Sequence, residues 1–457
     1  MTHCFRSPRA WPACAVLVLG LAGCASPGTV ASNSAQAPAS AAPTSGAPRA
    51  SVPTATAAPS PAMAATPPQT ATPAQSTVPD AAQMQAFTAW VAQFRGEARA
   101  AGISDTTLSS ALDGAQLLPQ VIERDRSQAE FTRAVWDYLA TAASDARVTR
   151  GTQRLQELRA ELDAAAARYG VPAEIIVAIW GMESNYGANY GDIPTIDALA
   201  TLGFEGRRGT WARGQLMAAL RILQNGDIPR ERMIGSWAGA MGQTQFLPSV
   251  FLAHAVDADG DGRRDIWGSM PDVIASTANF LRHEGWKPGQ PWGLEVQLPQ
   301  GFDVGRADGE LRQSTQQWAG ERVRSLDGAP LPELPDASIL LPAGARGPAF
   351  LVGANFRTIL RYNNATSYAL GVGLLAQRLA GGPGVQATWP RDLTPLRRDE
   401  TRALQEALNA RGFDSGAPDG VMGRATRAAL RAWQRSAGLP ADGYPTAQLL
   451  QQLTAPR

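Results

Sequence analysis

The stretch 171–187, VPAEIIVAIWGMESNYG, constrains the fold of this chain more than any other. Pro172 suits the first turn of a helix, and Ile175, Ile176, Ile179, Trp180 and Met182 make that helix apolar nearly all round. A helix without a polar stripe belongs in the interior. Glu183 ends it, so its carboxylate should be partly desolvated, with a raised pKa that keeps it protonated near neutral pH, the state a general acid needs. Ser184, Asn185 and a turn at Gly187 then open the chain towards a cleft, and Trp180, three residues earlier, shares roughly the face of Glu183. Taken alone, the segment also admits a bland alternative, a helix-terminal glutamate facing water.

Helical spacing of apolar residues recurs through Phe87, Trp90, Val91 and Phe94, again through Phe131 to Leu139, and through Leu155, Leu158 and Leu162. From 290 to 350 it gives way to short Pro- and Gly-punctuated runs such as residues 294–298, which alternate and predict a few short strands. Gly381-Gly382-Pro383-Gly384 then marks a break before a separate C-terminal unit. With 457 residues, two or three domains are expected. The boundaries read as a mainly α body over 80–383 with a small, partly β insertion, and a helical unit over 392–454.

The first 24 residues read as a targeting segment, with Arg6 and Arg9 before a short apolar run and Leu21-Ala22-Gly23-Cys24 at its end. That ending looks like a bacterial lipobox, in which Cys24 is lipidated and becomes the first residue of the mature protein. Ala25 rather than Asp in the next position resembles outer-membrane sorting in Gram-negative lipoproteins, which implies a protein facing the periplasm. Residues 25–79 contain 17 Ala, 11 Pro, 8 Ser and 8 Thr, 44 of 55, with Arg49 as the only charge. Such a segment cannot bury enough apolar surface to fold. It predicts a disordered tether with a reach on the order of 100 Å.

Several functions are excluded by what is missing. The 41 basic and 40 acidic residues are interspersed, with no basic stripe to suggest nucleic acid as a partner. Cys4, Cys14 and Cys24 are all in the targeting segment, so the rest of the chain has no disulfide scaffold or cysteine-based zinc site.

Four separated motifs resolve the ambiguity over Glu183. They are Glu183-Ser-Asn-Tyr-Gly187; Pro194-Thr-Ile-Asp-Ala-Leu-Ala-Thr-Leu202 with Arg207-Arg208; Gly239-Ala-Met-Gly-Gln-Thr-Gln245-Phe-Leu-Pro-Ser249; and Tyr362-Asn363-Asn364 with Ser367-Tyr368-Ala369. In this order they resemble the membrane-bound lytic murein transglycosylase B family, from about residue 80 to 381. The resemblance implies a lysozyme-like catalytic fold that cleaves the bond between N-acetylmuramic acid (MurNAc) and N-acetylglucosamine (GlcNAc) in peptidoglycan. Glycosidases usually need two carboxylates. A lytic transglycosylase needs one, because the 6-hydroxyl of MurNAc itself attacks the anomeric carbon. Glu183 would act as acid and then as base, leaving a 1,6-anhydro end, and no cofactor would be required. The resemblance also implies that Ser236 and Gln245 line the cleft and that Tyr362 and Tyr368 contact sugar. Ser184, Asn185 and Asn279 complete the expected substrate-binding set. Phe280 stands where the family pattern carries Tyr; if that position touches sugar, stacking survives and one hydrogen bond is lost.

Residues 257–268 begin as a calcium loop of the EF-hand type should, with Asp257, Asp259 and Asp261 at positions one, three and five, Gly262 at six and Asp265 at nine. Position twelve is Gly268, so the closing bidentate carboxylate is absent. The expectation is a weak structural calcium site, or a solvated turn that keeps the shape without the ion.

The C-terminal unit carries two related half-patterns. Leu404-Gln405 leads to Asp419-Gly420 and Thr426, and Trp433-Gln434 leads to Asp442-Gly443 and Thr446. It looks like the three-helix peptidoglycan-binding type 1 domain, with a shortened second half. A small cap packed on the catalytic body is the competing role. For the whole chain, the expectation is an outer-membrane lipoprotein that acts on peptidoglycan strands. A non-catalytic wall-binding lipoprotein and a hydrolytic muramidase are the alternatives.

Overall fold

The computed structural model describes residues 79–126 and 133–455. The expected signal peptide with Cys24, the tether up to residue 78, and Phe131 lie outside the described residues. The described chain is mainly α, as expected, and its order begins at Asp80. That side chain accepts the amide of Gln83 (2.7 Å) while the Gln83 side chain accepts the amide of Asp80, a reciprocal cap that starts the helix Ala81–Ala100. Phe87 and Phe94 of this helix are buried, and Trp90 stacks on Phe94 at 5.5 Å.

At the centre lies the helix Ala173–Ser184, in which every residue from Ile175 to Met182 is buried. The helices Thr366–Leu379, Asp145–Glu157, Met270–His283 and Arg159–Tyr169 pack around it. Its all-round apolarity is thus matched by neighbours on several sides, each burying side chains worth about 1.5–3 kcal/mol apiece. Among the described residues no helix is long and apolar enough to cross a membrane.

Strands are few. Ile193–Pro194 pairs antiparallel with Ile234–Gly235 beside the central helices. The insertion forms a four-stranded antiparallel sheet in the order Arg324–Ser325, Gly293–Gln297, Ala349–Val352, Ser338–Leu340, with Val296 opposite Ala349 and Ile339 opposite Leu351. Trp318, Val323, Ile339 and Leu351 give it a core of its own, and the indole N–H of Trp318 donates to the carbonyl of Ala337 (2.9 Å).

The C-terminal unit consists of helices Arg398–Ala410, Arg424–Ser436 and Ala447–Thr454 around Leu404, Leu408, Leu430, Trp433 and Leu453. Its two half-patterns fold into the same polar bracket. Gln405 donates to Asp419 (2.9 Å) and accepts from the amide of Gly420 (2.8 Å); Gln434 donates to Asp442 (2.8 Å) and accepts from the amide of Gly443 (2.8 Å). A buried glutamine satisfied at both ends fixes each turn without leaving an unpaired amide. The unit packs on the catalytic body: the free oxygen of Asp442 accepts the amide of Ala345 (2.9 Å), and Arg346 pairs with Asp392 (2.8 Å).

Candidate active site

The central helix stops because Asn185 adopts a left-handed conformation (φ 51°, ψ 47°), followed by Tyr186 (φ 61°) and Gly187 (φ 80°). Asn and Gly tolerate this region; a tyrosine there is strained. Packing holds Tyr186 in place. Its ring is buried and meets Trp180 edge-on (5.6 Å, 87°), its hydroxyl donates to the carbonyl of Arg147 (2.9 Å), and a Cβ on Gly181 would lie 2.6 Å from the ring. Ser184 is wholly enclosed, donating to the carbonyl of Trp180 (3.2 Å) and accepting the amide of Gly187 (3.1 Å). The effect is to present Glu183 from a rigid corner.

Glu183 is half-buried, and its Oε1 accepts the hydroxyl of Tyr368 at 2.5 Å. Burial pushes its pKa up to about 7, although the Tyr368 hydrogen bond pulls the other way. Tyr368 and Tyr362 are raised well above 10, by burial first and then by the charge of Glu183. Tyr138, which no motif singled out, is raised to about 12 by burial and by the same carboxylate, opposed by Arg147 and Arg133. All three tyrosines therefore keep their protons at neutral pH and remain hydrogen-bond donors.

The other expected residues take different places. Tyr362 donates to the carbonyl of Thr244 (2.7 Å), and Gln245, at φ 52°, donates to the carbonyls of Tyr190 and Gly242 (2.9 Å each). Ser236 is buried and accepts the amide of Ala240 (3.1 Å); Asn279 donates to the carbonyl of His254 (2.9 Å). Phe280 is buried against Tyr362 (4.8 Å) and Phe246 (5.8 Å). Of the expected set, Tyr368 is the residue hydrogen-bonded to Glu183, and the charge of Glu183 reaches Tyr362. Arg207 and Arg208 converge on the buried Asp125, at 2.7 and 2.8 Å; burial pushes this carboxylate up, and the two guanidinium groups outweigh it and hold it below its usual range.

Gln243 ties the corner to the rest of the body. Its Oε1 accepts the indole N–H of Trp180 (2.9 Å), its Nε2 donates to the carbonyl of Trp267 (2.8 Å), and a Cβ on Gly187 would fall 2.2 Å from that Oε1. Gln243 lies within the motif 239–249, whose pattern assigns it no role. Its partner Trp180 is 63 residues away, so only the fold reveals the contact.

In the acidic loop, Asp257, Asp259 and Asp272 offer ligand oxygens within 4.8 Å of one another. All three accept hydrogen bonds from amides, and Asp259 also from the Ser269 hydroxyl, while the other two expected ligands lie outside this group. Asp265 pairs with Arg232 (3.0 Å) and accepts the amides of Trp267 and Gly268 (2.9 and 2.8 Å), and Asp261 accepts the amide of Arg263 (2.8 Å). Asp272 enters because Ser269 caps the helix Met270–His283 and turns its first acidic residue back onto the loop.

Residues 86–377 match the Transglycosylase SLT domain family, and residues 397–453 match the Putative peptidoglycan binding domain family. A mainly helical, lysozyme-like body with one elevated carboxylate at its centre is the class that the fold and site define, and the chain belongs to the transglycosylase SLT domain family. It is similar to SltB3 of Pseudomonas aeruginosa, solved in complex with NAG-anhNAM-pentapeptide, at 52% identity and a TM-score of 0.79 over 81% of this chain and 100% of that one. SLT35 of Escherichia coli, solved in complex with calcium, is 32% identical with a TM-score of 0.56, over 64% of this chain and 92% of that one. Membrane-bound lytic murein transglycosylase B of Escherichia coli is 36% identical over 219 residues, 46% of this chain. The match spans 58% of that relative, less than two thirds of its length.

Proposed function

We propose that the chain is a lytic transglycosylase that cleaves the MurNAc–GlcNAc bond of peptidoglycan without water. The observation that carries this is Glu183 itself: one half-buried carboxylate with a pKa near 7, and among the described residues no second carboxylate contributing to its shift. With Oε1 held by Tyr368, Oε2 is left to carry the proton. Glu183 gives that proton to the leaving GlcNAc oxygen as the glycosidic bond breaks. The MurNAc 6-hydroxyl then bonds to the anomeric carbon and returns its proton to Glu183, so the enzyme ends as it began. The relative solved with an anhydro-muramyl pentapeptide supports the same product. Mass spectrometry of fragments released from purified peptidoglycan tests the reading. Anhydro ends are expected; reducing ends would make the protein a muramidase, and no release would make it a binding protein.

Anchoring in the outer membrane, facing the periplasm, belongs to the same proposal. It is supported by the Leu21-Ala22-Gly23-Cys24 sequence, by Ala25, and by a relative called membrane-bound. Stable attachment needs more than one acyl chain, as a diacylated cysteine provides. In cells fed a clickable fatty acid, label should enter the wild type and be absent from Cys24→Ser; label in both would sink the assignment.

The acidic loop fits a hard divalent cation such as calcium, held by Asp257, Asp259 and Asp272. Asp272 is fully buried, and burial together with the charge of Asp259 raises its pKa against the hydrogen bonds it accepts. A cation would neutralise these charges and stiffen the loop, a structural role. Calorimetric titration should give heat with calcium at millimolar concentration, lost in Asp272→Asn. A flat titration of the wild type would count against the site.

A further inference from the structure

Contrary to the expectation of no basic stripe, the helix Arg424–Ser436 contains four arginines, Arg424, Arg427, Arg431 and Arg435, and no acidic residue, because helical spacing aligns charges that the linear sequence shows as scattered. At 3.6 residues per turn they fall within about 80° of its circumference, nearly opposite the buried Ala429, Leu430 and Trp433. Like charges spaced three or four apart on a helix destabilise it by a few tenths of a kcal/mol per pair. Salt bridges normally relieve this, yet among the described residues only Arg424 has a carboxylate partner, Glu310, at a loose 3.6 Å.

The stripe is largely open to solvent, with two neighbouring segments beside it. Its far end lies against the insertion, where a Cβ on Gly305 would be 2.7 Å from Nη2 of Arg435. Its middle is covered by the turn Asp442-Gly443-Tyr444, with a Cβ on Gly443 only 3.0 Å from Nη1 of Arg431. Arg424, Arg427 and Arg435 are exposed, and Arg431 is partly buried. The facing segment has acids, but Asp303 caps the amide of Gly305 (3.0 Å), Asp308 caps Glu310 (2.8 Å), and the carboxylate of Asp442 is taken up by Gln434, Tyr444 and Ala345. A row of largely exposed guanidinium forks one helical turn apart is therefore left, among the described residues, with a single loose carboxylate partner at its first member.

We propose that this seam binds the carboxylates of the peptide stems carried by peptidoglycan, so that the C-terminal unit reads the peptide while Glu183 acts on the sugar. The inference rests on the reading of the chain as a peptidoglycan enzyme. Arginine suits the task because its planar fork grips a carboxylate with two parallel hydrogen bonds. Turn-spaced arginines, with Cβ atoms about 5–6 Å apart, match carboxylates spread along a short peptide better than one isolated anion.

The test uses the mature chain carrying Glu183→Gln, so that the polymer survives, with and without Arg427→Gln and Arg431→Gln together. Co-sedimentation is measured with intact sacculi, with sacculi stripped of peptide by an amidase, and with phosphatidylglycerol vesicles. The arginine-intact protein should bind intact sacculi about tenfold more tightly than stripped ones, an advantage that shrinks at high salt. The double variant should bind both sacculi equally and melt at the same temperature or higher, since like-charge repulsion is removed. A single Arg431→Gln variant should lose part of the preference. Equal binding of the arginine-intact protein to both sacculi overturns the proposal, as does a preference that survives the double variant. Loss confined to the vesicles assigns the stripe to lipid headgroups and overturns it too. Failure to bind either sacculus would instead overturn the reading of the chain as a peptidoglycan enzyme.

Discussion

Glu183→Gln slows release of fragments from purified peptidoglycan by about 10²–10⁴-fold, the span a positioned general acid contributes, while the protein remains folded. Folding should survive because the amide matches the carboxyl in shape and its oxygen can still accept the hydroxyl of Tyr368. A pH profile gives the same assignment a sign. The proton must be on Glu183 when the bond breaks, so kcat/KM should fall as pH rises through about 7, the pKa to which burial lifts this group. The Tyr368 hydrogen bond stabilises the ionised form and lowers that pKa. Tyr368→Phe should therefore move the descending limb to higher pH, besides reducing the rate. A limb that stays in place or moves to lower pH would rule out Glu183 as the titrating acid.

Gln243→Met has the second largest expected effect, and it acts through the buried hydrogen bonds of this side chain. The thioether fills the space but leaves the indole N–H of Trp180 and the carbonyl of Trp267 unpaired inside the protein. Each orphaned group costs about 1–3 kcal/mol, so the variant should lose roughly 2–6 kcal/mol of stability, read as a clear fall in Tm. Turnover should drop about 10- to 100-fold with a smaller change in KM, because a misplacement of about 1 Å suffices for such a loss. A double-mutant cycle with Trp180→Phe separates this from general loosening. If the two residues act through one hydrogen bond, the combined loss in kcat is less than the sum of the single losses. Full additivity would remove Gln243 from the positioning of Glu183.

How far the chain could be read without coordinates depended on whether a residue's partner was near in sequence. The helix from Ala173 to Ser184 was legible because its all-round apolarity is local, and so was the strand Gly293–Gln297 because alternation over five residues suffices. The paired Gln and Asp-Gly signals of the C-terminal unit were legible as repetition, although the bracket they form was not. Tyr138 lacks any motif and lies 45 residues before Glu183, so only folding brings its hydroxyl under that carboxylate's charge. Asp272 falls outside the twelve-residue loop template, which counts along the chain, while the cap at Ser269 brings it in through space. Ser184 and Ser236 illustrate the opposite case. Polar side chains in sugar-cleaving motifs invite a substrate role, and the fold shows what the motif does not, that Ser184 both donates to and accepts from the backbone and Ser236 accepts a backbone amide.

The two brackets of the C-terminal unit share one pattern of hydrogen bonds but not one role. Asp419 serves its own turn, whereas Asp442 holds its turn with one oxygen and grips Ala345 with the other. Gly344 allows that approach, since a Cβ there would come within 2.6 Å of Asp442 and 2.8 Å of the Cβ of Tyr444. Of two like joints, one braces its own turn alone and the other also latches the unit to the catalytic body. Such a module is not an interchangeable cassette. Joined to a different enzyme, it would carry an aspartate oxygen and a tyrosine edge shaped for a surface it had left behind.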